Sequence, residues 1–144
     1  MHLESVIDIG APWERVFALA ADIARWPDRL PHYRGVRILD RRGRRTTAEM
    51  AARRGRITVR WRAVQEVRPE ERRILFTHIG GPTRGMAVEW VFQVRPGGVR
   101  VGIRHELRWP PLLGWLAWIV DRGFITPIAD RTLRRMKELA EAGG

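Results

Sequence analysis

The chain has 144 residues and a net charge of +11, and of its 27 basic side chains only Lys137 is a lysine. It contains no cysteine, which excludes disulfides, thiolate metal sites and a cysteine nucleophile. Hydrophobic residues make up 44%, enough for one core, so we expect a single domain over residues 1–144. The N-terminus lacks a secretory pattern and the apolar run 112–120 is too short to span a bilayer, which predicts a cytoplasmic protein.

The excess of arginine has two interpretations. One is an anionic partner, and the other is a compositional bias on solvated strand faces. The arginines are spread along the chain, with dense groups at 41–45 and 53–56 that are each centred on a glycine, as hairpin turns are. No zinc finger, RNP motif, helix-turn-helix or phosphate loop accompanies them. Nucleic acid is therefore not a predicted partner, whereas contact with an anionic membrane or with a protein through the basic face stays open.

The first forty residues predict a strand, two short helices and a second strand. The first strand covers 2–10, and Pro12 lies in the first turn of a helix, where its missing N–H costs nothing. Asp22 is predicted to cap a second short helix that ends at Trp26, because Pro27 should stop it. His32 and Tyr33 then lead into the second strand, about 34–42.

Five more strands follow, at about 45–53, 56–68, 72–79, 84–95 and 99–109. Apolar and polar residues alternate along four of them, which indicates one dry and one wet face. The remaining strand, at 72–79, has apolar residues at both odd-numbered and even-numbered positions. The dry faces contain the larger side chains Met50, Trp61, Gln65, Met86, Val88, Trp90, Phe92, Val94, Ile103, His105, Leu107 and Trp109.

The C-terminal part predicts helix. Residues 112–122 are apolar nearly all round, Gly123 interrupts them, and Thr126-Pro127 restarts a long helix as cap and first turn. For 112–122 two interpretations stay open: a fully buried helix that grips the sheet, or a lid that touches a membrane, with tryptophans at the headgroup level and arginines on anionic lipid.

This order predicts an α+β fold in which a curved antiparallel sheet of six to seven strands is covered by two short helices and one long C-terminal helix. One helix is about 10 Å wide, whereas six or seven strands about 4.8 Å apart are much wider. We therefore expect a cavity between the sheet and the long helix. A fully packed core is the alternative.

Ten residues are the candidates for a binding site in that cavity. Tryptophans can stack on a flat ligand and methionines adapt to varied shapes, although each is also acceptable as core. His105 is either a hydrogen-bonded core histidine or a polar anchor and general acid/base, and the buried amide of Gln65 needs partners that a ligand can supply. The candidates are Trp26, Tyr33, Met50, Trp61, Gln65, Met86, Trp90, Ile103, His105 and Trp109.

The histidines do not predict a metal site. No pair among His2, His32, His78 and His105 has helical i,i+4 spacing, and no carboxylate joins them on an inward face. His2 and His32 are expected at the surface. We predict neither a metal nor an organic cofactor.

The whole chain resembles a known superfamily. The order of elements is similar to the helix-grip fold of the birch-pollen-allergen and START-like lipid-binding proteins. The segment from Ile9 to Pro12, the pair Val16-Phe17, the run 22–27 and Tyr33 look like the opening signature of the polyketide cyclase/dehydrase family. Coenzyme-Q-binding proteins open similarly, and 90–92 resembles a W-x-F pattern of a late strand in that family.

The resemblance implies a deep apolar pocket that binds lipids, quinones or aromatic polyketides. In cyclase members it implies a mid-sheet arginine and a tyrosine that orient and protonate the polyketide. Tyr33 matches the tyrosine, but the arginine falls near Gln65 or Glu66, and neither is basic. The leading hypothesis is therefore binding or transport of a small hydrophobic ligand. A cofactor-independent cyclase/aromatase acting through Tyr33 and His105 is the alternative, and a protein-binding module is a third.

Overall fold

The computed structural model describes residues 2–108 and 111–143, so the candidate Trp109 lies outside the described residues. The seven strands are β1 His2–Ile9, β2 Tyr33–Arg42, β3 Arg45–Arg54, β4 Ile57–Arg68, β5 Arg73–Gly80, β6 Ala87–Arg95 and β7 Gly98–Glu106. The helices are α1 Trp13–Ala21, α2 Trp26–Arg29, α3 Gly114–Val120 and α4 Thr126–Ala142. A π-helical turn, Asp121–Ile125, joins α3 to α4, and shorter 3-10 turns cover Ile23–Arg25, Pro69–Glu71 and Pro111–Leu113.

All seven strands form one antiparallel sheet in the order β1-β7-β6-β5-β4-β3-β2. Hairpins join consecutive strands from β2 to β7, and β1 closes on β7 at the far edge. This order explains the position of α1 and α2, because the chain must cross from one edge of the sheet to the other between β1 and β2. The predicted α+β helix-grip fold is confirmed.

The predicted end of the second helix was wrong. Asp22 makes no side-chain cap bond, and Pro27 lies inside α2 at its first turn. A proline there removes no intrahelical hydrogen bond, so it opens a helix as readily as it ends one. The consequence is that Trp26 begins α2 and is buried, with 2% of its surface exposed.

The core lies between the concave face of the sheet and helices α1 and α4. Helix α4 contributes a stripe of Ile128, Leu133, Met136 and Ala140, all buried, because these positions recur at helical spacing. The inward faces of the strands were predicted from their alternation, with one difference. Val94 is 54% exposed, so the buried face of β6 ends at Phe92, before the hairpin.

Helix α3 is largely exposed. Leu112 just before it and Trp115, Trp118 and Ile119 within it have exposed fractions of 88%, 63%, 60% and 50%. The fully buried gripping helix is therefore excluded for this segment, and the lid alternative remains. No helix among the described residues is long and apolar enough to cross a membrane.

Candidate ligand-binding cavity

A cavity of about 310 Å³ lies between the sheet and the helical segment α3–α4. Side chains of β3 to β7 form one wall, and the π-helical turn and the first turns of α4 form the other. The lining residues Ile57, Pro82, Ile119 and Gly123 are exposed, so they mark the mouth of the cavity. The sheet is wider than one helix, as the sequence indicated, and this width leaves the space.

Aromatic rings form much of the inner wall. The ring of Trp26 lies 4.9 Å from that of Tyr33, 5.8 Å from Phe76 and 5.9 Å from Trp90, centroid to centroid. Tyr33 continues the contact to Trp61 at 6.1 Å. These distances are typical of tilted and edge-to-face pairs, which fix each ring against its neighbours. The wall is therefore preorganised and presents flat apolar surfaces.

His78 supplies a polar group to this wall. Its ring is parallel to that of Trp61, with centroids 5.6 Å apart and planes 3° apart, and its Nδ1 is hydrogen-bonded to Thr83 Oγ1 at 2.7 Å. Burial, with a smaller repulsion from His105, lowers the pKa of His78 to about 4. The imidazole is therefore neutral at pH 7.

His105 lies on β7 and lines the same cavity. Burial lowers the pKa of His105 to about 4, and the Asp121 carboxylate on the π-helical turn opposes this shift. Two neutral imidazoles thus face one apolar space. Each has a ring nitrogen free of a proton, so each is able to accept one.

Tyr33 on β2 and Thr132 on α4 also line the cavity. Burial raises the pKa of Tyr33 above its ordinary value, against a smaller opposing effect of Thr132, so the phenol keeps its proton at neutral pH. Thr132 Oγ1 donates to the Ile128 carbonyl and lies 2.7 Å from His32 Nε2. Because the hydroxyl has only one hydrogen, we assign Nε2–H of His32 as the donor to Thr132.

Most of the sequence-predicted residues line the cavity. These are Trp26, Tyr33, Met50, Trp61, Met86, Trp90, Ile103 and His105. Gln65 does not: it is buried, and its Nε2 donates to the Ala21 carbonyl at 3.0 Å, where α1 ends. The alternation along β4 correctly predicted that Gln65 points inward. Helix α1 covers that part of β4, however, so the amide of Gln65 is hydrogen-bonded to the end of the helix and not available to a ligand.

Several residues that line the cavity were not predicted from the sequence. Phe76 and His78 lie on β5, where apolar residues at both parities hid the inward face, and Thr132 lies on the buried stripe of α4. His32 was wrongly expected at the surface. It is 3% exposed, because its hydrogen bond to Thr132 draws it between β2 and α4.

Comparisons with known proteins agree with this architecture. The family described as polyketide cyclase / dehydrase and lipid transport matches residues 9–137. The granaticin polyketide synthase bifunctional cyclase/dehydratase of Streptomyces violaceoruber is 30% identical over 147 residues, which are 97% of this chain and 44% of that protein. The chain therefore spans less than half the length of this relative.

Solved structures give the same picture. A protein of Thermus thermophilus matches with a TM-score of 0.85 and 26% identity, over 100% of this chain and 99% of that one. The di-domain ARO/CYC StfQ of the steffimycin biosynthetic pathway matches with a TM-score of 0.84 and 19% identity, over 99% of this chain and 52% of that one. A START superfamily protein of Mycobacterium smegmatis has a TM-score of 0.76 at 14% identity, with 99% of both chains covered.

Proposed function

The chain belongs to the polyketide cyclase / dehydrase and lipid transport family, and from this premise we propose that it binds one compact, flat hydrophobic molecule, such as a quinone or an aromatic polyketide. One observation carries the proposal: a cavity of about 310 Å³ is lined by five aromatic rings that are joined by a continuous series of ring contacts. Ligand pockets typically range from about 300 to 1,000 Å³, so the volume suits a small ligand.

The polar groups at the wall support an oxygen-bearing ligand. Tyr33 retains its proton and is a hydrogen-bond donor, whereas the neutral imidazoles of His78 and His105 are each able to donate or accept. A few such groups in an otherwise apolar pocket fix orientation, because each unpaired polar atom inside it costs free energy. Carbonyl and hydroxyl oxygens on a flat ring system would satisfy them.

The test replaces part of the cavity volume with a larger side chain. Ala129 is buried and lines the cavity, whereas Ala142 is exposed on the same helix. We expect Ala129→Phe to weaken menadione binding by about tenfold or more, because a ring replaces ligand volume, and Ala142→Phe to leave it unchanged. Tryptophan quenching and calorimetry measure the affinity, and circular dichroism checks the fold. Equal affinities of both variants would place menadione outside the cavity and contradict the proposal.

A second candidate function is cofactor-free cyclisation or dehydration of a bound polyketide-like carbonyl compound. His105, His78 and Tyr33, which face one cavity, favour it. An imidazole would take a proton from the carbon next to the carbonyl while the Tyr33 hydroxyl donates a hydrogen bond to the carbonyl oxygen. In dehydration, the bond to the hydroxyl on the β carbon would then break, and the imidazolium would return its proton to that hydroxyl, which leaves as water. The arginine of the cyclase pattern has no counterpart among the described lining residues.

Turnover of a β-hydroxyketone tests the catalytic candidate separately from binding. If His105 is the base, the rate should rise with pH through the pKa near 4 and then level off, because only the neutral ring accepts a proton. His105→Gln and Tyr33→Phe should each abolish turnover, whereas menadione binding, which loses one hydrogen bond, should weaken by no more than about tenfold. Turnover that survives both substitutions would contradict these roles.

We also propose that α3 rests on an anionic membrane beside the cavity mouth. Trp115, Trp118 and Ile119 are exposed there, and Arg122 lies over the Trp118 ring at 5.6 Å. Tryptophans at headgroup depth with nearby arginines suit an anionic interface. Sedimentation with phosphatidylglycerol vesicles should fall in Trp115→Ser/Trp118→Ser and not in the control Trp13→Phe. Unchanged sedimentation of the double variant would contradict this contact.

A further inference from the structure

A second hollow lies on the other side of His32 from the ligand cavity. This cleft, which we call the arginine cleft, has a volume of about 650 Å³. Five arginines and one glutamate line it together with His32, and they come from three distant parts of the chain. They are Arg34 at the start of β2, Arg53 at the end of β3, and Arg131, Arg134, Arg135 and Glu138 on α4.

The arginines of the cleft are short of partners. Glu138 is committed to Arg135 at 2.9 Å, and Arg53 donates to the Gly55 carbonyl. The side chains of Arg34, Arg131 and Arg134 have no hydrogen bond or ion pair with any described residue. The cleft therefore holds an uncompensated positive charge.

The sheet surface shows the contrasting arrangement. There Arg100 forms a two-bond fork with Asp8, and Arg104 lies between Glu4 and Glu89. The side chains of Arg41 and Arg84 also lack a partner among the described residues, but neither lines the cleft or the ligand cavity, whereas the cleft brings three such guanidinium groups together. Concentrating them in a concave site strengthens the local field, because the walls limit the screening by water.

We propose that the arginine cleft binds the phosphate group of a phosphate ester or diphosphate. Guanidinium groups donate paired N–H bonds that match phosphate oxygens, and a multiply charged anion is neutralised best by several of them at once. Arg131 and Arg134, or Arg131 and Arg135, are three and four residues apart on α4, so their side chains project from one face of the helix. A soluble phosphate and a lipid headgroup share this chemistry, and the experiment separates them.

His32 provides a built-in reporter. It borders the cleft, and burial together with the charge of Arg131 lowers the pKa of His32 to about 4. The other charged groups that face it are Arg34, Arg53, Arg134, Arg135 and Glu138. A bound phosphate would offset the repulsion from Arg131, so the pKa of His32 should rise on binding.

The experiment titrates inorganic pyrophosphate, phosphate and acetate into the full chain at low salt by calorimetry, and follows the His32 ring by NMR. Arg131→Gln/Arg134→Gln removes two cleft charges, and Arg41→Gln/Arg84→Gln removes two exposed charges elsewhere. We expect pyrophosphate affinity to fall by about tenfold to a hundredfold in the cleft variant and by less than about twofold in the control. Sedimentation with phosphatidylglycerol vesicles, under the same comparison, tests the headgroup.

The outcomes are distinct. One-to-one binding of pyrophosphate that depends on Arg131 and Arg134 and raises the pKa of His32 supports a soluble phosphate ligand. Vesicle binding with the same dependence, without soluble binding, supports a lipid headgroup. Equal losses in the two double variants, acetate binding as tight as phosphate binding, or no binding in either arm would overturn the proposal. Menadione binding is unaffected by these variants if the two sites are separate.

Discussion

The ligand cavity and the arginine cleft are neighbours with opposite chemistry. Helix α4 and the start of β2 border both, and the hydrogen-bonded pair His32–Thr132 separates them. On one side burial keeps histidines neutral among aromatic rings, and on the other five arginines gather around a single glutamate. The net charge of +11 is therefore uninformative about the cavity ligand, because no arginine or lysine is among the described residues that line the cavity.

The largest effect expected from the contrast between the two sites is a loss of protein stability in acid, which the buried histidines cause. His32 and His78 have pKa values near 4 when folded and about 6.5 when unfolded, so the unfolded chain binds more protons between these values. The free energy of unfolding should fall as the pH drops through that window, by about 3 kcal/mol for each residue by pH 4. Above pH 6.5 both states are neutral and neither histidine contributes.

Urea denaturation at several pH values measures this effect. The contribution of His78 is the difference in slope between wild type and His78→Gln, which also cancels the titration of carboxylates. His2→Gln is the matched control, because His2 is exposed. If His78→Gln and wild type lose stability in parallel between pH 6.5 and 4, the cavity does not hold its histidine neutral.

A smaller effect on the free energy of unfolding is expected at the hydrogen bond between His32 and Thr132, which separates the cavity from the arginine cleft. Thr132→Val keeps the shape of the side chain but removes the acceptor of His32 Nε2. A buried donor without a partner costs about 1–3 kcal/mol, so the urea midpoint should fall accordingly. Thr58→Val, at an exposed position on β4, should change stability by less than about 0.5 kcal/mol. Equal midpoints for the two variants would show that the wall does not depend on this hydrogen bond.

The smallest effect concerns repulsion in the cleft. Arg134→Gln should raise the melting temperature slightly at low salt, because it removes one of several like charges, and the gain should vanish at high salt. Arg104→Gln should not raise it, since Arg104 has two carboxylate partners. A rise in both variants would mean that the repulsion is spread over the whole surface and is not concentrated in the cleft.

Alternation along the strands made much of the fold predictable. The face of Trp61, Trp90 and Ile103 followed from period two, and the order of elements placed the long helix over that face. Alternation along a strand identifies the inward face of that strand, but it does not identify the element that covers this face. Gln65 therefore looked like a ligand contact, although its amide serves the carbonyl of Ala21, and Val94 looked buried, although it lies beyond the helices.

The arginine cleft was beyond local sequence reasoning. Arg34, Arg53 and Arg131 are brought together only by the pairing of β2 with β3 and the path of α4. The burial of His32 could not be predicted for the same reason, because its hydrogen-bond partner Thr132 is a hundred positions away. Long-range pairings of this kind leave no periodic signal.

The π-helical turn at Asp121–Ile125 sets the rotational phase of α3 against α4. Residues about 18 positions apart share a face of an uninterrupted α-helix, because about five turns separate them. On that spacing Trp115 would share the face of Leu133, and Trp118 that of Met136, both of which are buried. The extra residue of a π-turn offsets the phase by roughly 100°, and both tryptophans lie outside. A regular α-helix of the same length in place of this turn would direct the two indoles toward the sheet, so the π-helical geometry decides whether the rim of the cavity presents tryptophan to solvent or to its own interior.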